Sequence, residues 1–149
     1  MIYDRTLTDV KNAIKIREEK VKTFEELTEE EIGILERGFF TIRTIRRIEE
    51  KQIELRRAFN EAGYYNTEIS SKSWADGEIF YYGDLVRLIK NNNILRDAFY
   101  ILTEEIGKPK ARYHYEDVNK IEKILHELEV AVTDMTRRYR RCGTFNCGG

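Results

Sequence analysis

Proline and cysteine are almost missing from this chain of 149 residues, which contains one proline and two cysteines. Cys142 and Cys147 both lie close to the C-terminus, so they cannot form a disulfide framework for a core. A cytosolic folding compartment is therefore expected. With nine glycines and a single proline, the composition also excludes a collagen-like chain or a Pro/Gly-rich linker.

An excess of one charge sign is also missing, because 26 lysines and arginines face 27 aspartates and glutamates. The net charge of -1 argues against a protein that binds nucleic acid over its whole surface and against a basic membrane-surface protein. No apolar run approaches the roughly 18 residues of a membrane span. No signal peptide is expected at the start of the chain.

What the sequence does contain is helical periodicity. Charged residues make up 36% and hydrophobic residues 41% of the chain, which suits helices with one apolar stripe each. The fold class predicted is an all-α helical bundle with a long, coiled-coil-like C-terminal helix, an aromatic-rich loop and a short Gly/Cys tail. The expected helices cover residues 8–22, a short stretch from a Thr28 cap to a Gly38 stop, 41–62, 84–103 and 116–142.

Capping residues mark several of these helix ends. Thr28 and Glu31 form a Thr-x-x-Glu capping box, and Thr6 or Thr8 is expected to cap the first helix. Asp84 is the expected N-cap of the fourth helix. The chain is thus divided into an N-terminal helical region (1–63), an aromatic loop (64–83), a helical hairpin with the long last helix (84–141) and a Cys/Gly tail (142–149).

The last helix has the most regular apolar pattern in the chain. Its positions alternate by three and four residues, as in a supercoiled seam. They are Val118, Ile121, Leu125, Leu128, Val132, Met135 and Tyr139. The pattern favours a seam between subunits of a homo-oligomer, with a trimer preferred. The alternative is a stripe packed within its own chain, and Ile124 and Ala131, which widen the stripe, support that alternative.

The third and fourth helices share a second pattern at an offset of 40 residues. One stripe reads Ile45, Ile48, Gln52, Leu55, Phe59, Ala62, and the other reads Leu85, Leu88, Asn92, Leu95, Phe99, Leu102. Chance similarity and a diverged duplication both explain the match. Gln52 and Asn92 are either register-setting polar residues of an interface or residues at the solvent edge of the stripe. On the first interpretation, Gln52→Leu raises stability and loosens oligomer choice.

Motifs that carry catalysis or bind metals were not found. The sequence has no phosphate-binding Gly-x-x-x-x-Gly-Lys loop, no Gly-x-Gly-x-x-Gly and no His-Glu-x-x-His. We therefore expect no enzyme, no cofactor and no metal site. The basic cluster at residues 137–141 complements the negative end of the last helix, so nucleic acid is not an expected partner.

Aromatic residues gather in the loop and recur in the tail. Tyrosine and tryptophan supply large contact areas with a polar handle. Contact with a partner is predicted for Tyr64, Tyr65, Trp74, Phe80, Tyr81, Tyr82 and Phe145. The alternative is that the loop caps the bundle of its own chain. Cys142 and Cys147 are a possible disulfide, within or between chains.

The second half of the chain resembles small structural proteins from the tail regions of phages that infect Gram-positive bacteria. The resemblance covers residues 74–149 and extends less firmly through residues 1–63. The residues that carry it are Trp74, Asp84, Arg87, Asn92, Leu95, Arg96 and Phe99, then Tyr115, Asn119 and 121–125, and finally Tyr139 with 142–148. It implies a virion component at the baseplate or tail tip, assembled in the host cytoplasm.

Two classes of function follow. The first is a non-enzymatic structural subunit of a phage tail, baseplate or tail-like particle that contacts itself and other tail or baseplate proteins. The second is a small helical binding module or assembly chaperone that is not retained in the particle. A head or head–tail joining component is a further alternative.

Overall fold

The computed structural model describes residues 1–65, 67–75, 77–99, 106–110 and 112–142, the last four without their side chains. All regular secondary structure in these ranges is helical, which confirms the all-α prediction. The helices are α1 (Leu7–Ile16), α2 (Glu29–Gly38), α3 (Ile42–Glu61), α4 (Tyr82–Phe99) and α5 (Tyr115–Cys142). A π-helical turn, Arg17–Val21, continues α1.

Most of the expected caps are present. Thr6 and Thr28 each accept a hydrogen bond from the backbone N–H three residues on, and each forms a full capping box. Asp84 has a different role from the one predicted. Helix α4 begins at Tyr82, and the Asp84 carboxylate accepts the backbone N–H of Tyr81 at 3.1 Å. Asp84 therefore lies inside the first turn of the helix and caps it from there.

Helices α3 and α4 run parallel to each other. The Gln52 and Asn92 side chains are hydrogen-bonded. Seven residues further along each helix, the Phe59 and Phe99 rings stack with centroids 5.2 Å apart. Both pairs join residues 40 positions apart. The offset of the two similar stripes is therefore the register in which the two helices pack.

Helix α5 runs in the same direction as α3. Arg47 contacts Glu122 near the start of both helices, and Lys51 Nζ lies 2.8 Å from the Glu129 carboxylate further along. The helical hairpin expected over residues 84–141 is therefore replaced by two parallel helices. This is possible because 15 residues separate α4 from α5, and an extended chain of that length spans about 50 Å, more than the roughly 27 Å of α4.

The core lies where the three parallel helices meet. Ile48, Phe59, Leu88, Leu95 and Leu125 are all fully buried there. Apolar burial stabilises the fold by roughly 25 cal/mol for each Å² removed from water. Helix α5, at about 42 Å, is longer than α3, at about 30 Å, so its arginine-bearing end extends past α3.

Helices α1 and α2 form a separate antiparallel hairpin outside this core. The contact is close because Gly38 has no side chain: an added Cβ would lie 2.2 Å from the Ala13 Cβ and 2.7 Å from the Asp9 carbonyl oxygen. Gly38 was predicted as a helix stop. It is the last residue of α2, but extended backbone at Phe39 ends the helix, and the glycine permits the packing.

The hairpin is expected to lose stability at acid pH through Asp9. A hydrogen bond from Arg37, 3.0 Å away, and the N–H of Thr6 hold the pKa of Asp9 below its usual range. This stabilisation is complete above the unfolded-state pKa of about 4 and is lost as pH falls through the folded-state pKa. Asp9→Asn should therefore flatten the acid side of the pH–stability curve measured by urea unfolding.

A matched control is Asp134→Asn. The Asp134 side chain is 56% exposed, and its ion pair with Arg137 is long, at 4.0 Å. That variant should keep the wild-type acid slope. Parallel curves for Asp9→Asn and wild type would show that Asp9 is not the group responsible.

The N-terminal segment is anchored on α5 by a buried ionic cluster. The Glu122 carboxylate is fully buried and accepts hydrogen bonds from Arg47 (2.6 Å), Arg5 (3.3 Å) and the backbone N–H of Ile2. The Asn119 side chain accepts a hydrogen bond from the Arg5 backbone N–H at 3.1 Å and donates one to the Arg5 carbonyl at 2.9 Å. A buried carboxylate needs such partners to offset its desolvation.

Candidate functional site

The aromatic loop between α3 and α4 runs back along the bundle and is held there by hydrogen bonds to both helices. Near its start, the Thr67 hydroxyl donates to Asn60 on α3 at 2.9 Å. Further on, the Asn91 side chain on α4 accepts the Ser70 N–H at 3.2 Å and donates to the Ser70 carbonyl at 2.7 Å. The amide of Asn91 thus satisfies both backbone groups of Ser70, as a neighbouring strand would.

Trp74 is the central anchor of this loop. Its side chain is buried, and its indole N–H donates to the buried Glu49 carboxylate on α3. Arg87 on α4 also pairs with Glu49, and Arg46 donates to the Trp74 carbonyl at 2.9 Å. One buried carboxylate therefore connects α3, α4 and the loop, and its charge is compensated by Arg87.

Lys72 and Glu78 close the turn that follows. The Lys72 ammonium lies 4.2 Å from the centroid of the Trp74 ring and 2.6 Å from the Glu78 carboxylate. The hydrogen bond from Lys72 lowers the pKa of Glu78, and the Ala75 N–H adds to the effect. The turn includes Gly77 at a φ of 80°, in the left-handed region that glycine adopts without strain.

Three of the predicted partner-contact aromatics point into the chain's own core. The Tyr64 ring lies 5.3 Å from that of Phe99, and its hydroxyl contacts the Met135 sulfur at 3.6 Å. Phe80 packs edge-on against Phe40 with centroids 5.4 Å apart. Together with Trp74, they cap the bundle within one chain, which was the alternative left open by the sequence.

The other aromatics of the loop face solvent. Tyr81 is 63%, Tyr82 59% and Ile79 64% exposed, and we call these three residues the tyrosine edge. Tyr65 is exposed at the other end of the loop. The inward packing of Phe80 between Ile79 and Tyr81 fixes the backbone of the edge. Phe145 lies outside the described residues.

The apolar stripe of α5 packs inside its own chain. Val118, Ile121, Leu125, Leu128 and Val132 are all buried, and Met135 is partly buried against the same core. Helices α3 and α4 cover both sides of the stripe, which Ile124 makes too wide for a narrow seam. The stripe from Val118 to Val132 is thus used for intramolecular packing, and in this conformation its buried side chains are not open to a second subunit. The side chain of Tyr139 lies outside the described part.

Gln52 and Asn92 set a register within one chain. Their exposed fractions are 1% and 0%, so neither lies at a solvent edge. Gln52 Nε2 donates to Asn92 Oδ1 at 2.5 Å and to the Leu88 carbonyl at 2.9 Å. Asn92 Nδ2 donates to the Ile121 carbonyl of α5 at 3.2 Å, and Asn91 Nδ2 to Gln52 Oε1 at 3.0 Å. The observed alignment of the three helices satisfies these amides, and a shift of one helix along another would break the bonds.

Sequence reasoning missed the ionic cluster around Glu122. Glu122 follows Ile121 and precedes Leu125 by three residues, so it falls beside the apolar stripe, where a charge signals a buried partner. The partners themselves, Arg5 and Arg47, come from distant parts of the chain and leave no local pattern.

The predicted cysteine tail lies largely outside the described residues. Cys142 ends α5 without a described side chain, and Cys147 is not among the described positions. In the described ranges, no cluster of three or more His, Cys, Asp or Glu side chains could hold a metal ion. Nor do these ranges contain a helix with the length and apolarity that crossing a membrane requires.

Comparison with known proteins gave no match. No protein-family model, no curated protein and no solved structure is significantly similar to the chain. The resemblance to phage tail proteins therefore stays a prediction.

Proposed function

We propose that the chain is a non-enzymatic structural subunit of a phage tail, baseplate or tail-like particle, which associates with itself and docks onto neighbouring virion proteins. The observation that carries the proposal is the tyrosine edge, an exposed apolar surface on a loop held in place by buried polar contacts. The sequence resemblance gives the type of particle.

The tyrosine edge has the chemistry of a docking surface. Tyr81 and Tyr82 offer large rings whose few rotatable bonds limit the entropy lost on binding. Tyr82 is further restrained by a hydrogen bond from its hydroxyl to the Pro109 carbonyl at 3.4 Å. Because Trp74 and Phe80 anchor the backbone beneath, the edge is held in place before a partner binds, and little entropy is lost in ordering it.

The projecting end of α5 offers a second contact region of different chemistry. Arg137 and Arg138 are exposed beyond the last buried position of the stripe, Val132. Guanidinium groups form bidentate pairs with carboxylates. This region suits an acidic surface on a neighbouring subunit.

Replacing Tyr81 and Tyr82 with alanine tests the tyrosine edge. Exposed substitutions change folding stability by about 0.5 kcal/mol or less each, so the variant should fold. Loss of a hot spot of ~2 kcal/mol would lower incorporation into particles about 30-fold, as measured by quantitative mass spectrometry of purified particles.

The matched control is Leu7→Ala with Val130→Ala, which removes two exposed apolar side chains from other surfaces and should leave incorporation unchanged. Wild-type chain present at a fixed ratio to the tail proteins supports the structural subunit. Wild-type chain that is abundant in the lysate and missing from particles would instead favour the assembly chaperone.

A further inference from the structure

Phe24 is the most exposed large apolar side chain among the described residues, at 95% exposure. It lies at the tip of the α1–α2 hairpin, three residues after the π-helical turn ends at Val21, and its φ is 56°. A left-handed backbone at a residue other than glycine costs of order 1–3 kcal/mol. Phe24 makes up for none of this cost by packing within its own chain.

The hairpin tip, residues 23–26, is nevertheless well ordered by hydrogen bonds. The Thr23 hydroxyl contacts the carbonyls of Glu19 and Lys20, each at 3.0 Å. The N–H groups of Phe24 and Glu25 donate to the carbonyls of Val21 and Lys20 at 3.3 and 3.1 Å. The tip therefore holds the backbone of Phe24 in place and presents its ring to solvent, next in sequence to Glu25 and Glu26.

An apolar groove suited to this ring lies on another face of the molecule. It encloses about 430 Å³ between α4 and the segment 106–109. Its apolar lining is Val86, Ile89, Ile94, Ile106 and Pro109. Two cations, Lys90 and Lys108, and one carboxylate, Asp97, also line it. Both lysines are exposed, and the Asp97 carboxylate is paired with Arg96 at 2.7 Å. We call it the α4 groove.

We propose that the Phe24 tip of one copy docks in the α4 groove of a second copy. Lys90 and Lys108 complement the carboxylates of Glu25 and Glu26 beside the ring. Phe24 does not occupy the groove of its own chain, since it is almost fully exposed, so the contact joins two chains. A second groove, about 340 Å³ between α3 and α5, is lined by the Glu61 carboxylate and by no lysine or arginine among the described residues, so it would repel an acidic tip.

The contact is head-to-tail, because tip and groove are different surfaces of the molecule. Head-to-tail contacts produce closed rings or open filaments. The inference builds on the proposed function, for which it names one self-association contact. It does not involve the tyrosine edge, so the two can fail separately.

Two single-surface variants and their mixture provide the test. Phe24→Ala removes the ring from the tip, and Val86→Glu with Lys90→Glu places carboxylates at the groove on exposed positions of α4. In sedimentation velocity at concentrations up to millimolar, wild type should form assemblies larger than dimers and each variant alone should be monomeric. The mixture should stop at a heterodimer, because each pair retains one intact tip and one intact groove.

Circular dichroism melts identify any variant that fails to fold. A photo-crosslinking amino acid in place of Phe24 then checks the contact directly in the full chain. Intermolecular cross-links to residues 86–97 or 106–109 support the proposal. A wild-type chain that remains monomeric, assemblies unaffected by Phe24→Ala, or cross-links confined to other surfaces would overturn it. If the Phe24→Ala variant assembles normally and is incorporated into particles, this contact alone would be overturned and the structural role would stand.

Discussion

Glu122→Gln should lower the free energy of unfolding by about 3–5 kcal/mol, the largest effect expected of any single side-chain change here. The substitution keeps the size of the side chain and removes the charge that Arg5 and Arg47 share. Arg5, whose side chain is 2% exposed, would then be left beside a neutral amide in a buried site, and Arg47, which is 25% exposed, would keep only its pair with Glu36. The amide would also turn an N–H group toward either a guanidinium or the Ile2 N–H, which are all donors.

Urea unfolding followed by circular dichroism measures this effect. Glu127→Gln on the same helix is the control, because its side chain is 40% exposed and 3.8 Å from Lys123. Exposed pairs of this kind contribute about 0–1 kcal/mol. Equal stability losses in the two variants would show that Glu122 is not the centre of a buried cluster.

Gln52→Leu should destabilise the chain by about 1–3 kcal/mol. The substitution leaves Asn92 Oδ1 without its donor and Asn91 Nδ2 without one of its two acceptors, in a region closed to water. This expectation reverses the one drawn from sequence, in which a leucine at position 52 raised stability. The reversal follows from the location of the partner amides, which belong to the same chain and stay buried.

A double-mutant cycle separates the amide pair from the packing. Adding Asn92→Leu to Gln52→Leu removes both members of the pair, so the double variant should be more stable than the sum of the single effects predicts. Ile53→Leu, a change at a partly exposed neighbouring position, is a control for altered side-chain shape on α3. Additive losses in the cycle would mean that the two amides do not interact.

Much of the fold is predictable from local sequence signals. The periodic stripes gave the helices, and the Thr28–Glu31 capping box gave a helix start at the correct residue. The 40-residue offset between the stripes of α3 and α4 is the packing register itself, as the Gln52–Asn92 and Phe59–Phe99 pairs show. These features are local or repeat at a fixed spacing, so a sequence displays them.

The direction of the helices and the use of the α5 stripe were not predictable in this way. An apolar stripe has the same pattern whether α3 and α4 of the same chain or other subunits cover it. The parallel arrangement depends on the return of the loop, which rests on long-range contacts such as Glu49 with Trp74 and Asn91 with Ser70. The division of the loop aromatics into buried and exposed sets depends on the same contacts.

One chain completes its own three-helix core, and the α5 stripe is buried within it. Thermal unfolding measured over a dilution series from micromolar to nanomolar concentration tests this arrangement most directly. A self-contained core predicts a constant Tm and constant helix content, because unfolding of the core does not require a subunit to dissociate. A Tm that falls with dilution, together with loss of helix, would show that the α5 stripe is shared between chains and would contradict the account.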